Sequence, residues 1–309
     1  MRKLPATAEA TRAVELLGAA ARAARAAGLA RPLGAATRAA DLLFVLARRP
    51  PLRAELRGLP FRGYLRHRSF LATDVQPETS YCELFEASLR PGLTVVDGGA
   101  HLGAYAVLAA RTAPCAAVLA FEPDPYNFRA LDYNARRLAP EVRLSRKALA
   151  GTAGRVAFHL SGSTIGSSLF RRGDTRRVVI VEATTLDREL ADLDLSGGLL
   201  VKLNVEGAEP FVLAGMRETL ARVEDVTLFV EVSPTLLAAA GTDTAGLVRD
   251  LEREGFRVFW IDVARRTTIP VEQTDLSCRG HLYCVRGGSS RSRESGRSAS
   301  AARSIAPLL

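Results

Sequence analysis

The sequence predicts an α/β fold, an open sheet of short and mostly parallel strands with helices packed on its faces. Two observations carry this. Apolar runs rich in Val, Leu and Phe alternate with stretches of helical periodicity along most of the chain. One such unit, Leu93–Pro123 (LTVVDGGAHLGAYAVLAARTAPCAAVLAFEP), reads strand, glycine-rich turn, helix, strand, and an acidic residue closes each strand: Asp97 the first, Glu122 the second. Glycines at such a turn let the backbone come close to a ligand. A carboxylate ending the second strand can accept hydrogen bonds from a ribose diol. Asp97 stands before Gly98, Gly99 and Gly103, where it would repel a pyrophosphate and suit a ligand with a cationic amino-acid end. That favours S-adenosyl-L-methionine over a dinucleotide.

The 309 residues suffice for one large domain with arms. Of the 42 basic residues only Lys3, Lys147 and Lys202 are lysine, an arginine bias that reads as GC-rich coding. The net charge of +9 is uneven. Residues 1–70 hold 14 basic and 4 acidic residues, a balance of +10. Residues 71–285 hold 23 and 28, a balance of −5, and residues 286–309 hold 5 and 1, a balance of +4. A nucleic-acid enzyme carries its cations on the gripping face; here they lie in the arms, which argues against a nucleic-acid partner. No C-x-x-C pair occurs among the four cysteines, consistent with a reduced, cytoplasmic setting. Cys278, His281 and Cys284 fall three apart, which on a strand alternates faces, so no metal site is expected. No apolar run is long enough to span a membrane.

In order, residues 7–49 read as an Ala/Arg-rich helical arm divided at Gly28–Gly34, and Pro50-Pro51 marks a boundary. Residues 60–75 suggest a short strand or hairpin, and Glu78–Leu89 a helix with Tyr81, Leu84 and Phe85 on one stripe. After Glu122, Asp124 as N-cap and Pro125 at the first position open a helix to about Leu138. Val142–Ala148 reads as the third strand, and Val156–Leu160 with Val178–Val181 as a β-hairpin around the loop SGSTIGSSLFRRG. Thr185-Leu186-Asp187 starts a short helix. Leu199–Asn204 is the next strand, placing Lys202, Asn204 and Glu206 near its carboxyl end; a helix follows from Glu209 to about Arg222. Val226–Val232 is a strand with Glu231 near its end, Thr244–Glu254 a helix stopped by Gly255, and Arg257–Ile261 and His281–Val285 the last strands. Residues 287–309 are too poor in apolar side chains to order themselves.

The blocks VVDGGAHLGAYAVLAA, AFEPDPYNFRALDYN, ALAG, GSSL, TTLD, KLNVEGAEPFVLAG and FVEVSP occur in an order that resembles the FkbM family of methyltransferases. The resemblance implies a class I, Rossmann-like methyltransferase with a seven-stranded sheet in the order 3-2-1-4-5-7-6, the last strand antiparallel, and S-adenosyl-L-methionine as cofactor. The domain organisation expected is an arm over 1–60, a methyltransferase domain over 61–286 with its core motifs in 93–262, and a disordered tail over 287–309.

Carried over by residue, the resemblance gives Asp97, Gly98, Gly99, Ala100, His101 and Gly103 to the methionine end of the cofactor and its turn. Glu122 goes to the ribose, Pro123 and Asp124 flank the adenosine, and Ala148 and Leu149 lie by the adenine. Asn204, Glu206 and Glu231 are the catalytic candidates, with Glu206 the expected base. Two positions depart from the family pattern: His101 replaces an Asn, and Asn204 replaces an Asp. An amide is no general base, so His101, His159, Glu206 or Glu231 inherits that role, or turnover is lost. The expected reaction is O-methylation of a small-molecule or sugar hydroxyl. The alternatives are a nucleic-acid or protein methyltransferase that uses the basic arms, and a cofactor-binding protein without turnover.

Overall fold

In a computed structural model the described residues are 39–68, 71, 79–162 and 164–287. Most of the expected helical arm and the expected disordered tail therefore lie outside the described residues. The sheet runs β12-β11-β13-β10-β9-β3-β4-β5. Its strands are β3 (Thr94–Gly98), β4 (Ala117–Phe121), β5 (Arg143–Ser145), β9 (Leu199–Leu203), β10 (Val226–Val232), β11 (Arg257–Asp262), β12 (Thr267–Pro270) and β13 (Gly280–Arg286). From β5 to β10 the neighbours are parallel, and β13 runs antiparallel between β10 and β11. Without β12 this is the order 3-2-1-4-5-7-6. The sheet has eight strands rather than seven because Thr267–Pro270 folds back on β11 as an antiparallel edge.

The central strands are buried along their whole length: every residue of β3 and β9 is inaccessible to solvent. This explains their unbroken apolar runs, since a parallel strand is covered on both faces. On one face pack α1 (Thr79–Ser88), α2 (Ala104–Thr112) and α3 (Pro125–Leu138), through Phe85, Val107 and Leu131. The other face is covered by α4 (Leu186–Leu190), α5 (Glu209–Ala214), α6 (Arg217–Arg222), α7 (Pro234–Ala239) and α8 (Thr244–Arg253), through Leu186, Val212, Leu237 and Leu251.

Several expectations are refined. The third strand is not continuous over Val142–Ala148: β5 ends at Ser145, and β6 (Ala148–Leu149) pairs instead with β8 (Thr175–Thr184). That strand and β7 (Gly154–Ser161) form the expected hairpin, so the insertion is a separate three-stranded sheet, β6-β8-β7. The helix after Glu209 breaks at Gly215, where a Cβ would meet the Ala150 carbonyl at 2.4 Å. The short strand or hairpin expected within 60–75 is the short strand β2 (Leu59–Gly63), which makes a hairpin with the earlier β1 (Leu52–Leu56) through Arg57-Gly58 in the left-handed region. Pro234 starts α7 in a stretch given no element above. Asp124 caps α3 as expected, accepting from Tyr126 N at 2.8 Å.

Candidate active site

The glycine turn after β3 is held from behind. Asp97 is fully buried, its Oδ1 3.0 Å from Lys202 Nζ, and its Oδ2 accepts from Ala106 N in the first turn of α2 at 3.1 Å. Lys202, buried in β9 beside β3, also donates to Gly99 O at 2.9 Å and Gly98 O at 3.4 Å. One cation thus ties the strand-end carboxylate to the two carbonyls that follow it. Asn204 N donates to Gly98 O at 3.0 Å, joining the loop after β9 to the glycine turn. Gly99 is obligatory: its φ is +73°, and an added Cβ would stand 1.9 Å from Asn204 O. Gly103, at φ +88°, starts α2 with its Cα face against Leu131.

Glu122 follows β4 and is buried. Its two oxygens accept from His101 N at 2.8 Å and from Asp124 N at 2.9 Å. Burial, reinforced by the Asp124 carboxylate, pushes its pKa up to about 8 against these two donors. Each oxygen retains a lone pair, so the group can still accept from a ligand.

Two cavities meet above this turn. The first is lined by Gly99, His101, Glu122, Pro123, Ala148, Leu149 and Phe158, with Asn204 and Glu206 at one end and Thr164–Ser167 of the insertion over it. The second is lined by Ala100, Tyr81, Tyr105, Trp260, His281, Glu231 and Arg279. Gly99, His101, Asn204 and Ile165 line both. The sequence candidates therefore divide into lining residues and supports. Asp97, Gly98, Gly103 and Asp124 stand behind the lining, Asp124 accepting from Ser167 Oγ at 3.1 Å to hold the insertion down. His159 lies in β7, paired through its backbone with Ser168.

The acidic end is organised by two arginines. Glu206 sits in the left-handed region at φ +55°, is nearly buried, and receives Arg172 Nη1 at 2.9 Å; Arg279 Nη2 lies 3.9 Å away. Glu231 is held by Arg279, whose Nε donates at 2.8 Å. Burial and then the neighbouring Glu231 raise the Glu206 pKa, and both arginines oppose them. Ser168 Oγ donates to Glu206 O at 2.7 Å, so the insertion fastens this loop by side chain and backbone together. Below it Glu209 accepts from Val205 N and Gly207 N, at 3.1 and 3.0 Å.

Several of these residues were not singled out from the sequence. His67 accepts from Tyr64 N at 3.0 Å through Nδ1 and faces Asn127 Oδ1 with Nε2 at 3.2 Å; Asn127 Nδ2 donates to Thr164 O at 2.9 Å. The chain before α1 is thereby joined to the roof of the first cavity. Burial lowers the His67 pKa to about 3, so this histidine is neutral. The sequence places Lys202 at the carboxyl end of its strand but does not foresee its bond to Asp97. Arg172 and Arg279 carried no sequence signal, being two among many arginines.

A family model described as the methyltransferase FkbM domain matches residues 97–258. The chain belongs to the FkbM methyltransferase family. A curated relative, the 31-O-demethyl-FK506 methyltransferase FkbM of Streptomyces tacrolimicus, is 30% identical over 176 residues, covering 45% of this chain and 68% of that protein. Among solved structures, the precorrin-6y C5,15-methyltransferase of Geobacter metallireducens is 14% identical, with a TM-score of 0.38 over 69% of this chain and 88% of that one. M. jannaschii TYW2 in complex with AdoMet is 12% identical, with a TM-score of 0.40 over 76% and 84%. Membership of the FkbM family rests on the first two findings. Among the described residues no helix is long and apolar enough to cross a membrane.

Proposed function

We propose that this FkbM-family methyltransferase uses S-adenosyl-L-methionine to methylate a hydroxyl of a small molecule. One observation carries the reading: two cavities of different chemistry converge on Gly99, His101 and Asn204. The first fits the cofactor's adenosine. Glu122 offers acceptor positions for a ribose diol, and Ala148, Leu149 and Phe158 give an apolar wall for a planar base. The turn Gly98–Gly103, braced by Asp97 and Lys202, would take the methionine end. The second cavity, walled by Tyr81, Tyr105 and Trp260, is where an acceptor would lie. The named acceptor of the Streptomyces relative, 31-O-demethyl-FK506, is consistent with a small molecule and an oxygen nucleophile.

Bound there, S-adenosyl-L-methionine supplies an electrophilic methyl group on a sulfonium. The protein's part is to set an acceptor oxygen in line with that methyl; such positioning removes several kcal/mol of barrier, within the roughly 7–11 kcal/mol that orientation can supply. Glu206 takes the hydroxyl proton. It lines the first cavity two residues from Asn204, which lines both, and its raised pKa makes it a better base than a surface carboxylate. Glu231 and Arg279, which line the second cavity beside Glu206, orient the acceptor, and Asn204 lines both cavities. The experiment is transfer of an isotopically labelled methyl group to a panel of hydroxylated small molecules, read by mass spectrometry, beside calorimetry of cofactor binding. Label on a hydroxyl oxygen is expected. Label only on nitrogen, or on nucleic acid, would replace the acceptor class, and absence of binding would remove the cofactor.

A further inference from the structure

The outer face of the helical residues 39–46 serves neither cavity. Its inner face is fixed to the folded body. Asp41 accepts from Leu65 N at 2.8 Å and from the Tyr126 hydroxyl, and Val45 packs with Leu52, Tyr64 and Leu102. Asp41 and Val45, one turn apart, are 3% and 6% exposed. This lock leaves Leu42, Leu43 and Leu46 facing outward, 56%, 68% and 70% exposed, with Phe44 less exposed at 37%. Three leucines on one outward stripe are costly in water, and a fixed apolar stripe of this kind marks an interaction surface.

The charge around the stripe says what it fits. Arg48, Arg49 and Arg53 follow directly and are exposed. Between residues 39 and 54 Asp41 is the sole acid, and it is buried and engaged. The preceding residues 1–38 contain seven Lys/Arg and two Glu, a balance of +5. Leucines flanked by arginines match an anionic lipid surface: the apolar side chains enter the acyl boundary while the guanidiniums meet the headgroups. A nucleic acid would want aromatic rings among the cations to stack on its bases, and here the most exposed large apolar side chains beside the arginines are leucines.

We infer that the face formed by Leu42, Leu43 and Leu46, with Arg48 and Arg49, docks this enzyme on an anionic membrane surface. The stripe lies apart from the two cavities, so this inference stands independently of the proposed reaction.

The test is co-sedimentation of the full chain with vesicles containing phosphatidylglycerol and with pure phosphatidylcholine vesicles, at low and high salt. Binding to the anionic vesicles is expected to fall at least about tenfold in Leu42→Ser/Leu43→Ser/Leu46→Ser, and to fall with salt or in Arg48→Glu/Arg49→Glu. The melting temperature of each variant should match the wild type. Absence of anionic-vesicle binding overturns the inference, as does a serine variant that binds like the wild type. A serine variant that melts well below the wild type assigns the face to the chain's own fold. A wild-type dimer that the serine variant dissociates, without vesicle binding, assigns it to a second copy; salt-sensitive RNA binding without vesicle binding assigns the arm to nucleic acid. Each of these also overturns it.

Discussion

Lys202 Nζ lies 3.0 Å from Asp97 Oδ1, with the two side chains 6% and 1% exposed. This buried pair stands under the glycine turn, and Lys202 also donates to the Gly98 and Gly99 carbonyls. Removing one partner leaves a charge in the core. Lys202→Met is expected to cost about 3–5 kcal/mol of stability. In Asp97→Asn/Lys202→Met, where neither charge remains, the loss should be clearly smaller than the sum of the single losses. Urea unfolding of the four proteins gives the cycle; additive losses would deny the coupling.

Gly99→Ala places a Cβ where Asn204 O already stands, at 1.9 Å, on a residue at φ +73°. Backbone cannot yield as a side chain does. The variant is expected to lose about 1–3 kcal/mol of stability from strain alone and to show no calorimetric binding of S-adenosyl-L-methionine. Gly58→Ala is the control: its φ is +79°, but its Cβ would meet nothing within 4 Å, so strain without collision should leave binding intact.

Glu122, raised to about 8 by burial and Asp124, is mostly protonated at neutral pH. Ribose hydroxyls donating to it favour the ionised form, so binding releases a proton below that value. Cofactor affinity should rise with pH by up to about tenfold per unit until pH 8 and then level off. Calorimetry in buffers of different ionisation enthalpy measures the proton, and Glu122→Gln should flatten the slope. The cofactor-free protein has the opposite trend. A carboxyl whose folded pKa lies above its unfolded value stabilises fully below the unfolded pKa, and that stability is lost as pH rises toward 8. A cofactor affinity independent of pH would contradict the assignment of Glu122.

Glu206 should appear in the pH–rate profile. Its carboxyl is raised above the ordinary range by burial and by Glu231, so kcat/KM should show an acidic limb above that range. Glu206→Gln is expected to abolish this limb and lower kcat by about 10²–10⁴-fold. Cofactor affinity should change little. An unchanged limb in that variant would move the base elsewhere.

Asn204 lines both cavities and, by the resemblance drawn from the sequence, stands where the family usually has Asp. With Glu206 as base, Asn204→Asp should leave cofactor affinity unchanged and alter kcat by less than about tenfold, well inside the range a general base contributes. A gain of a hundredfold would show that the base of this site belongs at 204.

Much of the architecture was legible because parallel strands covered on both faces must be apolar throughout, and the helices between them must keep one apolar stripe. Leu199–Leu203 and Val226–Val232 could be bounded closely on that ground, and Asp124-Pro125 fixed a helix start. The legibility failed where long-range collision or pairing decides. The strand read through Val142–Ala148 divides because Ala148-Leu149 finds a partner in Thr175–Thr184 of the insertion. The helix after Glu209 breaks at Gly215, where only a glycine fits against the Ala150 carbonyl, a contact that sequence periodicity does not announce.

The site divides in the same way. The sequence by itself determined the glycine turn, the acidic strand ends at Asp97 and Glu122, and the loop carrying Asn204 and Glu206, since each is a local consequence of a strand ending in a turn. Only the tertiary structure decided what those groups face. It set Lys202 against Asp97 by placing β9 beside β3, brought Arg172 from the insertion to Glu206, and turned Arg279 toward Glu231 from the far end of the chain. Contacts between residues 30 to more than 100 positions apart depend on strand order and on the path of the inserted sheet, and no local periodicity encodes either.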